Sequence, residues 1–455
     1  MTFLRIAGTI GTLGLQNGVI QYGTQYWKKS AADLKSTLIY SIGLSLISGI
    51  FVGMVLFILS PWLANDVFKK DGLLIVFRII ALTFPLAIGM WVASASTRIS
   101  KRMKYSVLGE DIAQPVINLL LIFILFLIGY RLVGALIASL VSFGVAFGLL
   151  IYFVYRLYPE ILGVSVGKNL KIRDLVFFSI PTGLAGTFTL ITGWMSRLFI
   201  GYFRPAYEAG IFQAASQVSF FFVIILSSLN TIFAPMIADL YHRNELSRIE
   251  ELYRISTKWG LYLITPFFIV LCFLPQEFMI AIFGPAYVSG WIPLLLLAAT
   301  QVVNVGTGAV GFILIMTGHQ NDWFTISGII MLFSVIINIL LIPRYGMNGA
   351  AVASAISVSL IYIVGLFRIR KSLHLWPYDL RYLKGIGAAA ITSLVIFAIS
   401  WWFGRSSPLL LVSISAIISY IVFGLMLLTF GLDREDWQFI KVISQRLNIN
   451  IRTPN

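Results

Sequence analysis

The residue of this chain best placed to do chemistry is an arginine inside an apolar stretch. Arg197 stands in Gly193-Trp194-Met195-Ser196-Arg197-Leu198-Phe199. That is about six residues from the end of its run, or ~9 Å deep at a rise of about 1.5 Å per residue. Keeping a guanidinium there costs about 2.5–3.5 kcal/mol on insertion scales, so an anionic partner such as a phosphate would account for it. Snorkelling to the outer headgroups is the other reading. Arg5 and Arg78 carry the same two readings, with snorkelling ahead for Arg78 because it lies near the end of its run.

Neutral amides fall into pairs at helical spacing. Gln213 and Gln217 are four residues apart, as are Gln114 and Asn118, and Gln301 and Asn304 are three apart, so each pair shares one helix face. Such faces suit sugar hydroxyls, and they equally suit hydrogen bonds between neighbouring helices. Pro85, Pro181 and Pro266 sit inside apolar runs and remove ladder hydrogen bonds, which marks them as candidate hinges.

Carboxylates are absent from those runs. Asp33, Asp66, Asp71, Glu110, Asp111, Glu160, Asp174, Glu208, Asp239, Glu277, Asp322 and Asp379 all fall in expected connectors or helix ends. A cation-coupled exporter usually keeps an intramembrane carboxylate for its proton or ion. Enzyme signatures are missing too: no nucleotide-binding Gly-Lys loop occurs, and His242, His319 and His374 stand singly. No catalytic residue, metal or cofactor is expected, and Cys272 has no partner for a disulfide.

The elements that must position these residues follow from composition. With 59% apolar residues, 11% charged residues and a mean hydropathy of +0.92, the chain is far from a soluble protein, in which about 25% of residues are charged. The solvent is a bilayer. A formal net charge of +15 then reflects Lys and Arg left in cytosolic loops, not nucleic-acid binding. Crossing the hydrocarbon takes about 20 apolar residues. On that rule spans are expected at 3–24, 37–63, 74–96, 114–130, 132–155, 175–203, 209–240, 259–283, 291–317, 324–342, 349–367, 383–403 and 409–430. An all-α polytopic membrane protein of about thirteen visible helices results.

Most of the 33 basic residues then fall on one side, including Lys28, Lys29, Arg98, Lys101, Lys168, Arg173, Arg243, Arg254, Arg370 and Lys384. That side is the cytosol by the positive-inside rule, which puts the C-terminus there in a cell (inner) membrane protein. Two further stretches, 246–253 and 437–447, show apolar residues at roughly helical spacing among charges, as in helices lying at the interface.

Two segments nearly repeat. Asn118, Tyr130, Gly134-Ala135, Ala138-Ser139 and Ser142 match Asn338, Tyr345, Gly349-Ala350, Ala353-Ser354 and Ser357, with a gap before the tyrosine. A duplicated bundle is implied. The second copy occupies the fifth and sixth helices counted from Leu175, whereas the first occupies only the fourth and fifth visible spans. Corresponding helices of a parallel repeat must cross in the same sense, so a fourteenth helix is expected ahead of Met1.

The segments Gly201-Tyr202-Phe203, Ala209-Gly210-Ile211-Phe212-Gln213-Ala214-Ala215, Phe233-Ala234-Pro235-Met236-Ile237-Ala238-Asp239-Leu240-Tyr241, Thr317-Gly318 and Ile337-Asn338-Ile339-Leu340-Leu341-Ile342-Pro343-Arg344-Tyr345-Gly346 resemble the Wzx-like polysaccharide and lipid-linked oligosaccharide flippases. These belong to the multidrug/oligosaccharidyl-lipid/polysaccharide (MOP) superfamily. The resemblance implies two six-helix lobes in parallel repeat around a cationic cavity. They would comprise residues 1–173 (second to sixth helices) and 174–371, followed by a helix pair at 372–431 and a cytosolic amphipathic tail at 432–455. It also implies alternating access, turning a glycan on a polyprenyl pyrophosphate from the cytosolic to the outer leaflet. The partners implied are that lipid-linked oligosaccharide, the bilayer, and a polysaccharide polymerase with chain-length machinery. Members often carry an acidic residue just before the basic residue of this helix, where this chain has Ser196, so an ion-pair gate there is in doubt. The competing functions are a cation-coupled multidrug exporter of the same fold and a non-transporting scaffold of a glycan assembly complex.

Overall fold

Apolar runs of this length fold as helices because hydrocarbon supplies no partner for a free N–H or C=O. A computed structural model describes residues 2–67, 73–130, 132–167, 169–403, 407–431 and 433, with backbone alone at 2–6, 67, 132, 229, 231, 232 and 403. Among the described residues no strand occurs. The helices are α1 (Thr2–Gly11), α2 (Leu15–Tyr26), α3 (Ala31–Trp62), α4 (Leu73–Arg98), a single turn α5 (Lys104–Ser106), α6 (Gln114–Leu127), α7 (Leu132–Leu157) and α8 (Ile172–Phe203). They continue with α9 (Ala206–His242), α10 (Leu246–Phe273), α11 (Pro275–Phe283), α12 (Trp291–Thr307), α13 (Val310–Met316), α14 (Gln320–Leu373), α15 (Tyr382–Phe403) and α16 (Pro408–Thr429).

Eleven helical segments among the described residues are long and apolar enough to cross a bilayer. One of them, α14, has 54 residues, which at about 1.5 Å each is far longer than a ~30 Å core. Gly346 breaks it with φ 56° and ψ −136°, so it is two crossings. The span expected at 3–24 is present but broken: α1 and α2 are separated by Leu13 at φ 49° and Gly14 at φ 71°. Neither piece alone reaches spanning length, and counting the pair once while splitting α14 brings eleven to about thirteen.

Three expectations are corrected. The interfacial helix expected at 246–253 is the first part of α10 itself, which runs unbroken from Leu246 to Phe273. The span expected at 259–283 stops at Phe273, where Pro275 starts α11 on a new axis. The span expected from Gln114 begins earlier: α5 runs through a wide π-turn, Val107–Ala113, straight into α6. Glu110 and Asp111 thus lie inside a spanning segment, Lys104–Leu127, and the carboxylate-free interior does not hold there. The amphipathic tail expected from 432 lies outside the described residues except for Asp433.

Two compact units result. The first comprises Met1–Leu190, Asn230–Leu246 and Gly311–Gly328, and the second Ile191–Leu229, Ser247–Val310 and Ile329–Asn455, so α8, α9 and α14 each contribute to both. In the first, Phe84, Ile88, Met90, Phe143 and Leu150 form the core. There α3 meets α4 closely because Gly49 faces Pro85; a methyl at Gly49 would stand 2.6 Å from the Pro85 Cα. In the second, the core is Phe222, Ile264, Phe278, Leu294 and Val305.

Capping is local. Ser30 accepts from the Asp33 amide at 3.3 Å and donates to the Asp33 carboxylate at 2.7 Å, fixing the start of α3. The same carboxylate accepts from Asn169 N and Nδ2 at 3.2 and 2.8 Å, tying down the connector before α8.

Candidate functional site

Arg197 lies on α8, half-buried, with its guanidinium carbon 4.6 Å from the centre of the Trp194 ring. Three residues of helix bring the two side chains onto one face. Its Nε is buried without a hydrogen-bond partner, and no carboxylate pairs with it among the described residues. A planar cation held by stacking, with no carboxylate on its donor fork, can donate two hydrogen bonds to an oxyanion.

Ser196, one residue earlier, points into the packed interior. Its hydroxyl donates to Asn338 Oδ1 at 2.7 Å and accepts from the Ser354 hydroxyl at 2.7 Å. Asn338 in turn donates from Nδ2 to the Ser334 carbonyl at 2.7 Å. All four residues are buried. The position that could have held an acidic gate partner is thus a neutral, fully bonded hub joining α8 to both halves of α14.

The residues of both similar segments lie at helix contacts. In the first unit Ser139 of α7 donates to Asn118 Oδ1 of α6 at 3.4 Å, and Gln114 of α6 donates to Ser142 of α7 at 3.2 Å. In the second unit the matching Asn338 and Ser354 meet through Ser196. A methyl added at Gly134 would fall against Tyr130 and Leu125, and one at Gly349 against Tyr345 and Leu341. Gln114 and Asn118 are therefore committed to helix pairing.

The remaining candidates are dispersed. Gln213 and Gln217 are both exposed on one face of α9, and Gln217 borders an apolar groove of about 540 Å³ lined by Phe221, Phe222, Phe267, Phe278 and Tyr420. Asn304 is buried, donates to Gln301 Oε1 at 2.9 Å, and has the Tyr362 phenol beside it. Neither pair bonds to Arg197 among the described contacts. Arg78 is exposed, its guanidinium 5.1 Å from the Phe57 ring, a lipid-edge placement that fits snorkelling. The side chain of Arg5 lies outside the described residues. Pro85, Pro181 and Pro266 all sit inside helices, α4, α8 and α10 respectively. Pro181 stands beside a backbone contact in which Gly183 and Gly14 exclude any side chain between α8 and the α1–α2 break.

Three charged clusters carry no signal in hydropathy. Glu110 accepts from Arg98 at 3.0 Å and from Ser94 at 2.5 Å. Glu208 is buried, pairs with Arg204 at 2.9 Å and accepts from the Met347 amide at 3.1 Å, which holds the turn inside α14. Asp433 receives Lys258 at 3.1 Å and Lys384 at 2.8 Å. Burial raises the Asp433 pKa, but the hydrogen bonds and charges of the two lysines outweigh it and hold the carboxyl below its ordinary value.

The family model for "Polysaccharide biosynthesis protein" matches residues 1–290. The chain belongs to this polysaccharide biosynthesis protein family. Capsular polysaccharide biosynthesis protein CapF of Staphylococcus aureus is 24% identical over 243 residues, covering 53% of this chain and 61% of that protein. The probable low-salt glycan biosynthesis flippase Agl15 of Haloferax volcanii is 23% identical over 180 residues, 40% of this chain and 38% of its own length. The chain thus spans less than two thirds of the length of these relatives. Among solved structures, the MATE transporter VcmN of Vibrio cholerae in its bent form superposes with a TM-score of 0.68 at 16% identity, covering 82% of this chain and 87% of that one. This family member therefore has the fold of that MATE transporter and is a multi-pass membrane protein.

Proposed function

We propose that the protein is a flippase that turns a polyprenyl-pyrophosphate-linked oligosaccharide from the cytosolic to the outer leaflet by alternating access of two lobes. The observation that carries the reading is Arg197. A guanidinium is retained in a spanning helix, stacked on Trp194, with no carboxylate to neutralise it among the described residues. Pyrophosphate supplies the missing charge and two acceptor edges. The amide face of Gln213 and Gln217 suits sugar hydroxyls, and the groove beside Gln217 suits a hydrocarbon chain. The family, and a relative named as a probable glycan flippase, support the cargo class.

In proteoliposomes, Arg197→Ala is expected to lower the flipping rate of a fluorescent lipid-linked glycan at least tenfold, with membrane insertion and melting temperature unchanged. Unaltered flipping would remove Arg197 from the mechanism.

A cation-coupled exporter is the second reading, favoured by the MATE fold and by Glu110 inside a spanning segment. Against it, Asp33, Glu110 and Glu208 are each committed to the bonds described above. Drug efflux from a sensitised strain separates the two functions.

A further inference from the structure

We infer that Lys101, Asp239 and Arg243 form a latch that holds the cytosolic side of the protein closed; the inference rests on the transport reading above. Lys101 Nζ meets Asp239 Oδ2 at 2.6 Å. Arg243, one turn after Asp239 on α9, adds contacts to the same carboxylate at 3.2 Å from Nη2 and from Nε. All three residues lie on the lysine- and arginine-rich side assigned to the cytosol, within the first compact unit. By the repeat, however, Lys101 belongs to the first lobe and Asp239 to the second. An ion pair between lobes on one side of the membrane must break whenever that side opens.

The ammonium is presented on a prepared support. Lys101 has φ 59°, a left-handed conformation that a non-glycine residue adopts only when its surroundings impose it. The imposing group is the buried Tyr158, whose hydroxyl accepts from the Ser100 amide at 3.0 Å and donates to the Ser96 carbonyl at 2.9 Å. This clamps the turn after α4 from the end of α7. On the other partner, His242 Nε2 donates to the Gln21 carbonyl at 3.3 Å, so the end of α9 touches α2 as well. Asp239 itself stands in the segment Phe233–Tyr241 that carries the family resemblance. The pair is partly exposed, and partly exposed ion pairs are weak. A latch that must open in every cycle has to be weak.

The test uses the full chain with Cys272→Ser, reconstituted in liposomes, with nitroxide labels at the exposed Arg102 and Asn244. Neutralising the latch with Lys101→Gln and Asp239→Asn is expected to raise the long-distance population about fivefold, the shift expected from losing one such pair. Exchanging the charges, Lys101→Asp with Asp239→Lys, is expected to restore the short distance. Separately, a reducible bis-thiosulfonate bridging Lys101→Cys and Asp239→Cys should stop glycan flipping, and reduction should restart it. Identical distance distributions in all variants, or flipping that persists across the bridge, would overturn the latch. If the distances respond as expected while no form of the protein moves the lipid-linked glycan, the flippase reading fails and the latch stands.

Discussion

The hydroxyl of Ser196 donates to Asn338 Oδ1 at 2.7 Å, between two helices and with both residues buried. Because Ser196 also accepts from Ser354, removing its oxygen orphans two polar groups at once. Ser196→Ala is expected to cost about 1–3 kcal/mol, the usual penalty for leaving buried partners unmade. A lower melting temperature in detergent is the readout. Ser196→Thr, which keeps the hydroxyl, should recover most of the loss, and an unchanged melting temperature for the alanine variant would remove Ser196 from its place as a hub.

Trp194 stacks on Arg197 and carries no charge of its own. Trp194→Leu should keep the fold and raise the half-saturating concentration of lipid-linked glycan several-fold, because stacking of this kind contributes about 0.5–2 kcal/mol. Maximal flipping rate should change less than it does in Arg197→Ala. Equal loss in both measures would mean that Trp194 serves the helix and not the arginine.

Asp433 offers a pH test with a defined sign. Its folded pKa is held below the ordinary carboxylate value, so its contribution is fully present above the unfolded pKa of about 3.9 and is lost as pH falls through the lower folded value. Melting temperature should therefore drop below about pH 4, and that component of the drop should vanish in Asp433→Asn. At neutral pH, Asp433→Ala leaves the Lys258 ammonium, 3% exposed, without this counter-charge and is expected to cost about 3 kcal/mol.

Gly49 tests the packing of α3 on α4. A Cβ there meets the backbone of Pro85 at 2.6 Å, and backbone cannot swing aside. Gly49→Ala should lower the melting temperature by several degrees. Gly43→Ala, where a methyl meets nothing within 4 Å, should have little effect and serves as the matched control.

Much of the fold could be read from the residues, since apolar runs of spanning length leave helix as the one available choice. What escaped were breaks and continuations. Gly14 interrupts the first run between two leucines, and the wide turn at Val107–Ala113 carries Glu110 into a span that hydropathy starts only at Gln114. The site was legible in part. Arg197 announces itself as a charge in an apolar run, but its support by Trp194 depends on rotamer and packing. The amides at Gln114, Asn118, Gln301 and Asn304 have one pattern for two uses, and only neighbouring helices decide between them. Asp239 looked like a helix end, because its partner Lys101 is 138 residues away.

The two similar segments differ in how their asparagine and serine are joined. In one, Asn118 meets Ser139 directly at 3.4 Å; in the other, Ser196 of α8 stands between Asn338 and Ser354 with a bond of 2.7 Å to each. A single substitution at position 196 therefore reaches both partners of the second segment at once and neither partner of the first.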